Sequence, residues 1–281
     1  PLPAVPARLA SLGFRGVNLG SGQAITPPLV SVAAGRFQMG SDKSRDAKAF
    51  DDETPEHRVE VAAFQIGKYP VTVAEYALAE RAGAVREPPK VLDVTWQTQL
   101  QRLDHQVVCV SWQDAMAYVK WLRAATGEPG WRLPSEAEWE KAARWDVRAN
   151  ASHLYPWGDS FDQARCNTLE SGIGHTTPVG WYGPDDPDPR SGRHSGASPW
   201  GAEEMAGNVR EWTSSLYKPY PYSESDGREA PDSTENRTLR GGSWNDSARF
   251  ARAAYRGYYR SDILYTDYGF RLALSRVVAG S

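Results

Sequence analysis

Along the first third of the chain, hydrophobic and polar positions fall in short runs with strand-like spacing. Residues 32–39 read as a strand that ends at Gly40-Ser41, Val59-Glu60-Val61 keeps a period of two, and residues 64–70 read as a further strand. The period then lengthens. Residues 74–84 are rich in Ala, Leu and Glu, which favours helix. Ser111 is a suitable N-cap for a helix over 112–125, where Ala115, Tyr118, Val119 and Leu122 share one face and Gly127 supplies the stop. Ser135 and Glu138 make a capping box for a helix that runs through Trp145. Helices therefore sit in the first half. The run over 42–56, with Lys43, Arg45, Asp46, Asp51, Asp52 and Glu53, reads as a solvated loop.

Beyond Tyr155-Pro156-Trp157-Gly158-Asp159 the pattern breaks into short strands and long Gly/Pro/Asp-rich loops such as 183–197. Loops longer than about 12–15 residues are usually functional or disordered. The expected fold class is α+β with abundant irregular chain. One domain is expected over 31–275, with a Pro/Ala/Gly-rich arm or linker over 1–30 and a short tail over 276–281.

Composition narrows the function. With 32 Lys and Arg against 35 Asp and Glu, the formal charge is −3, which argues against nucleic acid as a partner. No stretch approaches the roughly 20 apolar residues of a membrane span. The 11 Trp, 13 Tyr and 7 Phe suit a loop-rich fold pinned by large side chains. The chain begins Pro1-Leu2-Pro3 rather than with Met, so a trimmed start is expected and the compartment stays open. Cys109 and Cys166 allow one disulfide arithmetically, but their spacing does not demand it, and two buried free thiols are the plainer reading. His57, His105, His153, His175 and His194 are scattered, none spaced as a ligand pair. Phosphate-loop, paired CxxC, HExxH and G-x-S-x-G signatures are absent.

A series of short motifs carries more. Phe37-Gln38-Met39-Gly40-Ser41, Glu53-Thr54-Pro55, Tyr69-Pro70-Val71-Thr72 and Val110-Ser111-Trp112-Gln113-Asp114-Ala115 appear in that order. Trp131-Arg132-Leu133-Pro134-Ser135-Glu136-Ala137-Glu138-Trp139-Glu140 and Tyr155-Pro156-Trp157-Gly158 follow. Met205-Ala206-Gly207-Asn208-Val209-Arg210-Glu211-Trp212, Arg240-Gly241-Gly242-Ser243-Trp244 and Gly269-Phe270-Arg271-Leu272-Ala273 complete the series. Across about residues 32–275 the chain resembles the formylglycine-generating-enzyme (sulfatase-modifying-factor) family. The resemblance implies an elaborated C-type-lectin fold.

The family's oxidases carry two cysteines just after the Arg-Gly-Gly-Ser-Trp segment, where thiolates bind copper. The matching positions here are Asp246 and Ala251. A carboxylate and a methyl group do not supply the soft ligands that Cu(I) requires. The resemblance therefore implies a non-catalytic relative. The alternative is a copper- or iron-dependent oxidase, which needs those cysteines or a partner domain that carries iron ligands. The resemblance also implies a candidate calcium site at Glu204, Gly207, Val209 and Glu211, with carbonyl oxygens from Gly207 and Val209. The competing reading pairs Glu211 with Arg210 or a neighbour. A second calcium loop maps to Asn167 and Thr168, but Ser171 stands where Asp is expected.

Residues 243–271 are unusual. A frame that includes Ala248, Arg249, Ala251, Arg252, Arg256, Arg260 and Asp262 is interrupted by Asn245, Asp246, Ser247, Phe250, Gly257, Tyr258, Tyr259, Ile263, Leu264, Tyr265, Thr266 and Asp267. Every residue type in the second set has a codon ending in a pyrimidine, as expected from scrambling the first two bases of an Asn codon. Lys, Glu, Gln, Met and Trp do not occur in it. The segment resembles the variable region of a variable protein from a diversity-generating retroelement. That resemblance implies a ligand-binding surface built from the second set, facing an unknown protein or other macromolecule, on a chain expected to be monomeric. Tyr with Ser, Gly, Asn and Asp is also the chemistry of antibody paratopes. The plain alternative is a packed aromatic core with Arg stacked on Tyr. The Arg frame is expected to buttress the segment, with Arg249, Arg252 and Arg256 meeting carboxylates such as Asp262.

Overall fold

The computed structural model describes residues 4–19, 22–184 and 192–275; the expected tail over 276–281 lies outside them. The helices form where their caps are written. They are α1 (Ala7–Ser11), α2 (Val73–Arg81), α3 (Trp96–Gln99), α4 (Trp112–Thr126) and α5 (Glu136–Arg144). Thr72, Ser111 and Ser135 each accept a backbone N–H at the start of α2, α4 and α5, and Glu75, Asp114 and Glu138 reach back to the cap. Ala115, Tyr118, Val119 and Leu122 of α4 are buried, and Gly127 ends the helix at a φ of 66°, a conformation that suits glycine. Helix α2 stops at Arg81 rather than 84, and α5 stops one residue before Trp145. Helix α3 is too short to leave a periodic signal.

Two four-stranded sheets carry the rest. The first orders Gly257–Tyr259, Arg237–Arg240, Arg210–Leu216 and Tyr268–Phe270, with the last pair parallel. The second orders Leu29–Val32, Phe64–Gly67, Ala273–Ser275 and Trp131–Arg132, all antiparallel. The single strand expected over 32–39 is thus two. Leu29–Val32 joins this sheet, while Gly35–Met39 pairs separately with His57–Val61, and Gly35 at φ 128° marks the break.

Residues 1–30 are expected as an arm or linker, and their described part corrects this. Helix α1 and the hairpin Arg15–Leu19/Gly22–Thr26 bring Leu9, Phe14 and Ile25 into a buried cluster with Tyr69, Ala74 and Val179. Phe14 stacks on Tyr69 at 5.7 Å.

The charged run over 42–56 is a second correction. Asp46 and Glu53 are buried because they receive Arg252, at 2.5 Å and 2.6 Å. Arg256 clasps Glu136 through bonds of 2.6 and 2.9 Å, and Arg240 meets Glu140 at 2.5 Å. Arg249 instead lies 3.7 Å over the Phe50 ring and donates to the Lys48 carbonyl. Asp262, expected among the buttressing acids, pairs on the surface with Arg260. The arginine frame is therefore anchored, but by acids from distant segments. Breaking one buried pair costs about 3–5 kcal/mol, because the remaining charge is stranded.

Candidate functional site

The loop after the strand Arg237–Arg240 begins with Gly241 and Gly242, whose φ values are 95° and 67°. A Cβ on Gly242 would lie 2.7 Å from the Phe250 carbonyl, so the chain folds back on itself there. This turn places Asp246 opposite Arg210, which donates to its two oxygens at 2.8 and 2.5 Å. Ala251 is fully buried beside Tyr155, Cys166 and Ala206. The Ser243 hydroxyl lies 2.9 Å from Asp246 Oδ2 and 2.7 Å from Asp267 Oδ2. Burial raises the Asp267 carboxyl above its ordinary range, against the lowering effect of the Ser243 hydroxyl and of Arg210.

The residues do not fit a thiolate copper centre. Cys109 and Cys166 are free and buried, as the plainer reading had it, and burial pushes both thiols up to about 12. Among the described residues no group of three or more His, Cys, Asp or Glu stands ready to hold a metal.

The interrupting positions of residues 243–271 are unevenly exposed. Tyr258, Tyr259 and Tyr265 are 45%, 40% and 47% exposed. Asn245 is exposed, while Asp246, Ser247, Phe250, Ile263, Leu264, Thr266 and Asp267 are half-buried. Ile263 leans on the main core and Leu264 on Val108, Cys109 and Val209. Gly257 corrects the expectation of a displayed position. It is buried, and a Cβ there would stand 3.0 Å from Arg210 Nη1.

Successive residues of a strand face opposite ways, and the tyrosines divide accordingly. Tyr258 stacks on Tyr217 at 3.9 Å, and the Tyr217 hydroxyl donates to Asp52 at 2.7 Å. Tyr259 and Tyr265 instead lean on the buried Tyr268, at 5.5 and 5.1 Å.

The candidate calcium positions lie close in sequence, with Glu211 already in the strand Arg210–Leu216, and both carboxylates are engaged. Glu211 accepts Arg271 at both oxygens, at 2.7 and 2.8 Å, and Trp139 Nε1 at 2.6 Å. Its partner is thus Arg271, not Arg210. Glu204 accepts the Gly180 amide at 2.9 Å and the Gln106 side chain, and burial pushes its carboxyl up to about 8. The Arg271 guanidinium already supplies the positive charge that Glu211 requires, so these residues do not fit a calcium ion alongside it. In the second loop, Asn167 and Ser171 bond to each other at 2.9 Å.

Sequence reasoning missed a cleft of about 320 Å³ beside Thr266 and Trp244, also lined by His105 and Gln106. A solitary His and Gln in a loop carry no spacing that betrays such a place.

A model of the sulfatase-modifying factor enzyme 1-like domain matches residues 19–276. Hercynine oxygenase of Mycolicibacterium thermoresistibile is 33% identical over 85% of this chain, which spans only 58% of that relative. The inactive C-alpha-formylglycine-generating enzyme 2 of Bos taurus is 29% identical, over 94% of this chain and 93% of its own. Treponema denticola variable protein 1 superposes with a TM-score of 0.65 at 20% identity, over 93% of this chain and 99% of that one, a likeness of fold. The architecture is the α+β, C-type-lectin-like one of this group. The relatives thus include a protein named as an oxygenase and one named as inactive. The chain belongs to the sulfatase-modifying factor enzyme 1-like domain family.

Proposed function

We propose that this chain is a non-catalytic, receptor-like member of its family, and that its C-terminal surface is diversified to bind a macromolecular ligand, most simply a protein. One observation carries the reading. Arg252, Arg256 and Arg271 are buried and paired, whereas Tyr258, Tyr259 and Tyr265 between them stay 40–47% exposed. Large aromatic rings left in water on a fixed frame are characteristic of interaction sites. Asn245 and the half-buried Ser247, Phe250, Ile263, Leu264 and Thr266 border them.

The gene neighbourhood tests the diversified part. A near-copy of the segment for 243–271, with Asn codons at the interrupting positions, is expected beside a reverse-transcriptase gene; a locus with neither contradicts it.

The oxygenase relative favours a second reading, in which this chain is the binding part of an oxidase. Incubation with copper or iron and a Cys-containing sulfatase peptide or hercynine discriminates. Turnover would overturn the receptor reading.

A further inference from the structure

Two leucines outside residues 243–271 border that segment near its opposite ends. Leu92 is 78% exposed and Leu169 is 61% exposed, more than any other large hydrophobic side chain among the described residues. Leu92 lies in a two-residue turn that Val91 and Val94 close by exchanging backbone hydrogen bonds of 3.0 Å. Its φ is 54°, in the left-handed region that glycine adopts freely and leucine adopts at a cost. Glycine would serve such a turn better, so the side chain is held in water against the preference of its backbone. The turn abuts the segment, because Val91, Val94 and Leu264 pack on one cluster of Val108, Cys109 and Val209. Cys109 in turn donates its amide to the Tyr265 carbonyl at 3.0 Å. Leu169 borders the other end. Its amide donates to the Asp246 carbonyl at 2.8 Å, and the Glu170 carboxylate accepts the Ala248 amide at 2.8 Å. One cleft joins these places. Asp93 and Val94 line it from the turn, Gly174 and His175 from the loop after Leu169, and Trp244 and Thr266 from the segment.

We propose that Leu92 and Leu169 are fixed contacts of the binding surface, and that its ligand is a folded protein which covers both with an apolar patch. This rests on the receptor reading and narrows its ligand. The changeable residues between the two leucines offer hydroxyls, amides and aromatic rings, which serve a glycan as well as a protein. Aliphatic side chains gain chiefly by losing water to another apolar surface. A glycan chain presents mostly hydroxyls, whereas apolar atoms supply roughly 55–60% of a protein's accessible surface.

The test is a selection from the chain itself. Asn245, Ser247, Tyr258, Tyr259, Tyr265 and Thr266 are randomised, the library is displayed on yeast, and binders are taken against lysozyme as the protein probe. In most clones Leu92→Gly and Leu169→Ser should each weaken lysozyme binding about tenfold, the scale set by covering one leucine. Val147→Ser, at a side chain that is 59% exposed, should stay within about twofold. Leu92→Gly should also leave the melting temperature of the parent chain unchanged or raise it, since it removes a left-handed leucine. The same library taken against mannan, a polyhydroxyl polymer, should give binders that ignore Leu92→Gly, or none. Lysozyme binders indifferent to both leucines overturn the inference and leave the tyrosine surface standing. An equal loss with Val147→Ser, mannan binders as dependent on Leu92, or a lower melting temperature for Leu92→Gly overturns it too. A library with no lysozyme binder would undo the receptor reading itself, and this inference with it.

Discussion

Arg210 holds Asp246 in a two-pronged grip, Nε to Oδ2 at 2.8 Å and Nη2 to Oδ1 at 2.5 Å. The side chains are only 13% and 12% exposed. A position that the sequence offered as freely variable is therefore coupled to one outside the segment.

Asp246→Ala should accordingly destabilise the fold by about 3 kcal/mol, since it strands a mostly buried guanidinium. The double change Arg210→Met/Asp246→Leu should recover most of the loss. Urea denaturation of the variants checks this; a neutral single mutant would show that water serves Arg210 equally well.

Tyr258→Ser, Tyr259→Ser and Tyr265→Ser should each cost less than about 1 kcal/mol, because roughly half of each ring is already wet and only one or two aromatic contacts are lost. Arg252→Ala should cost about 3–5 kcal/mol by leaving Asp46 and Glu53 unpaired. Thermal melts side by side decide. Losses above about 2 kcal/mol at the tyrosines would place them in the core and end the receptor reading.

Gly257→Ala should destabilise by about 1 kcal/mol or more, because the new methyl meets Arg210 Nη1 at 3.0 Å. Ser247→Ala, half-buried and without such a neighbour, is the control. Equal stability of the two variants would return Gly257 to the displayed set.

Glu75 gives a pH prediction. It is fully buried beneath Thr72, and burial raises its carboxyl to about 8 from an ordinary 4.5. The folded state thus keeps a proton that the unfolded chain releases near 4.5. This stabilising contribution is complete below that pH and is lost as pH rises through about 8. Glu75→Gln, which keeps an acceptor for Thr72, should gain stability relative to wild type between pH 5 and pH 9. A constant difference across that range would refute the assignment.

Calcium gives the metal prediction. An ion bound at 100 times its Kd adds about 2.7 kcal/mol. With Glu211 committed to Arg271, millimolar Ca²⁺ or EGTA should not move the melting temperature. A shift of several degrees would show that the ion displaces the guanidinium.

Much of the fold was legible because helix starts are local. Ser111 and Ser135 announce their helices through residues three positions away. The acidic run over 42–56 was misread for the opposite reason: Asp46 and Glu53 are buried only because Arg252 arrives from two hundred residues downstream. The tyrosines stood out by composition, but their division between Tyr217 and Tyr268 required the strand pairing.

The acids that clamp Arg252 and Arg256 lie in the 42–56 loop and in α5, and this divides the molecule into socket and cassette. A graft over 258–267 can be exchanged while Arg252 and Arg256 stay seated. Trimming the acidic loop, remote in sequence, would unmoor the cassette without altering any residue it displays.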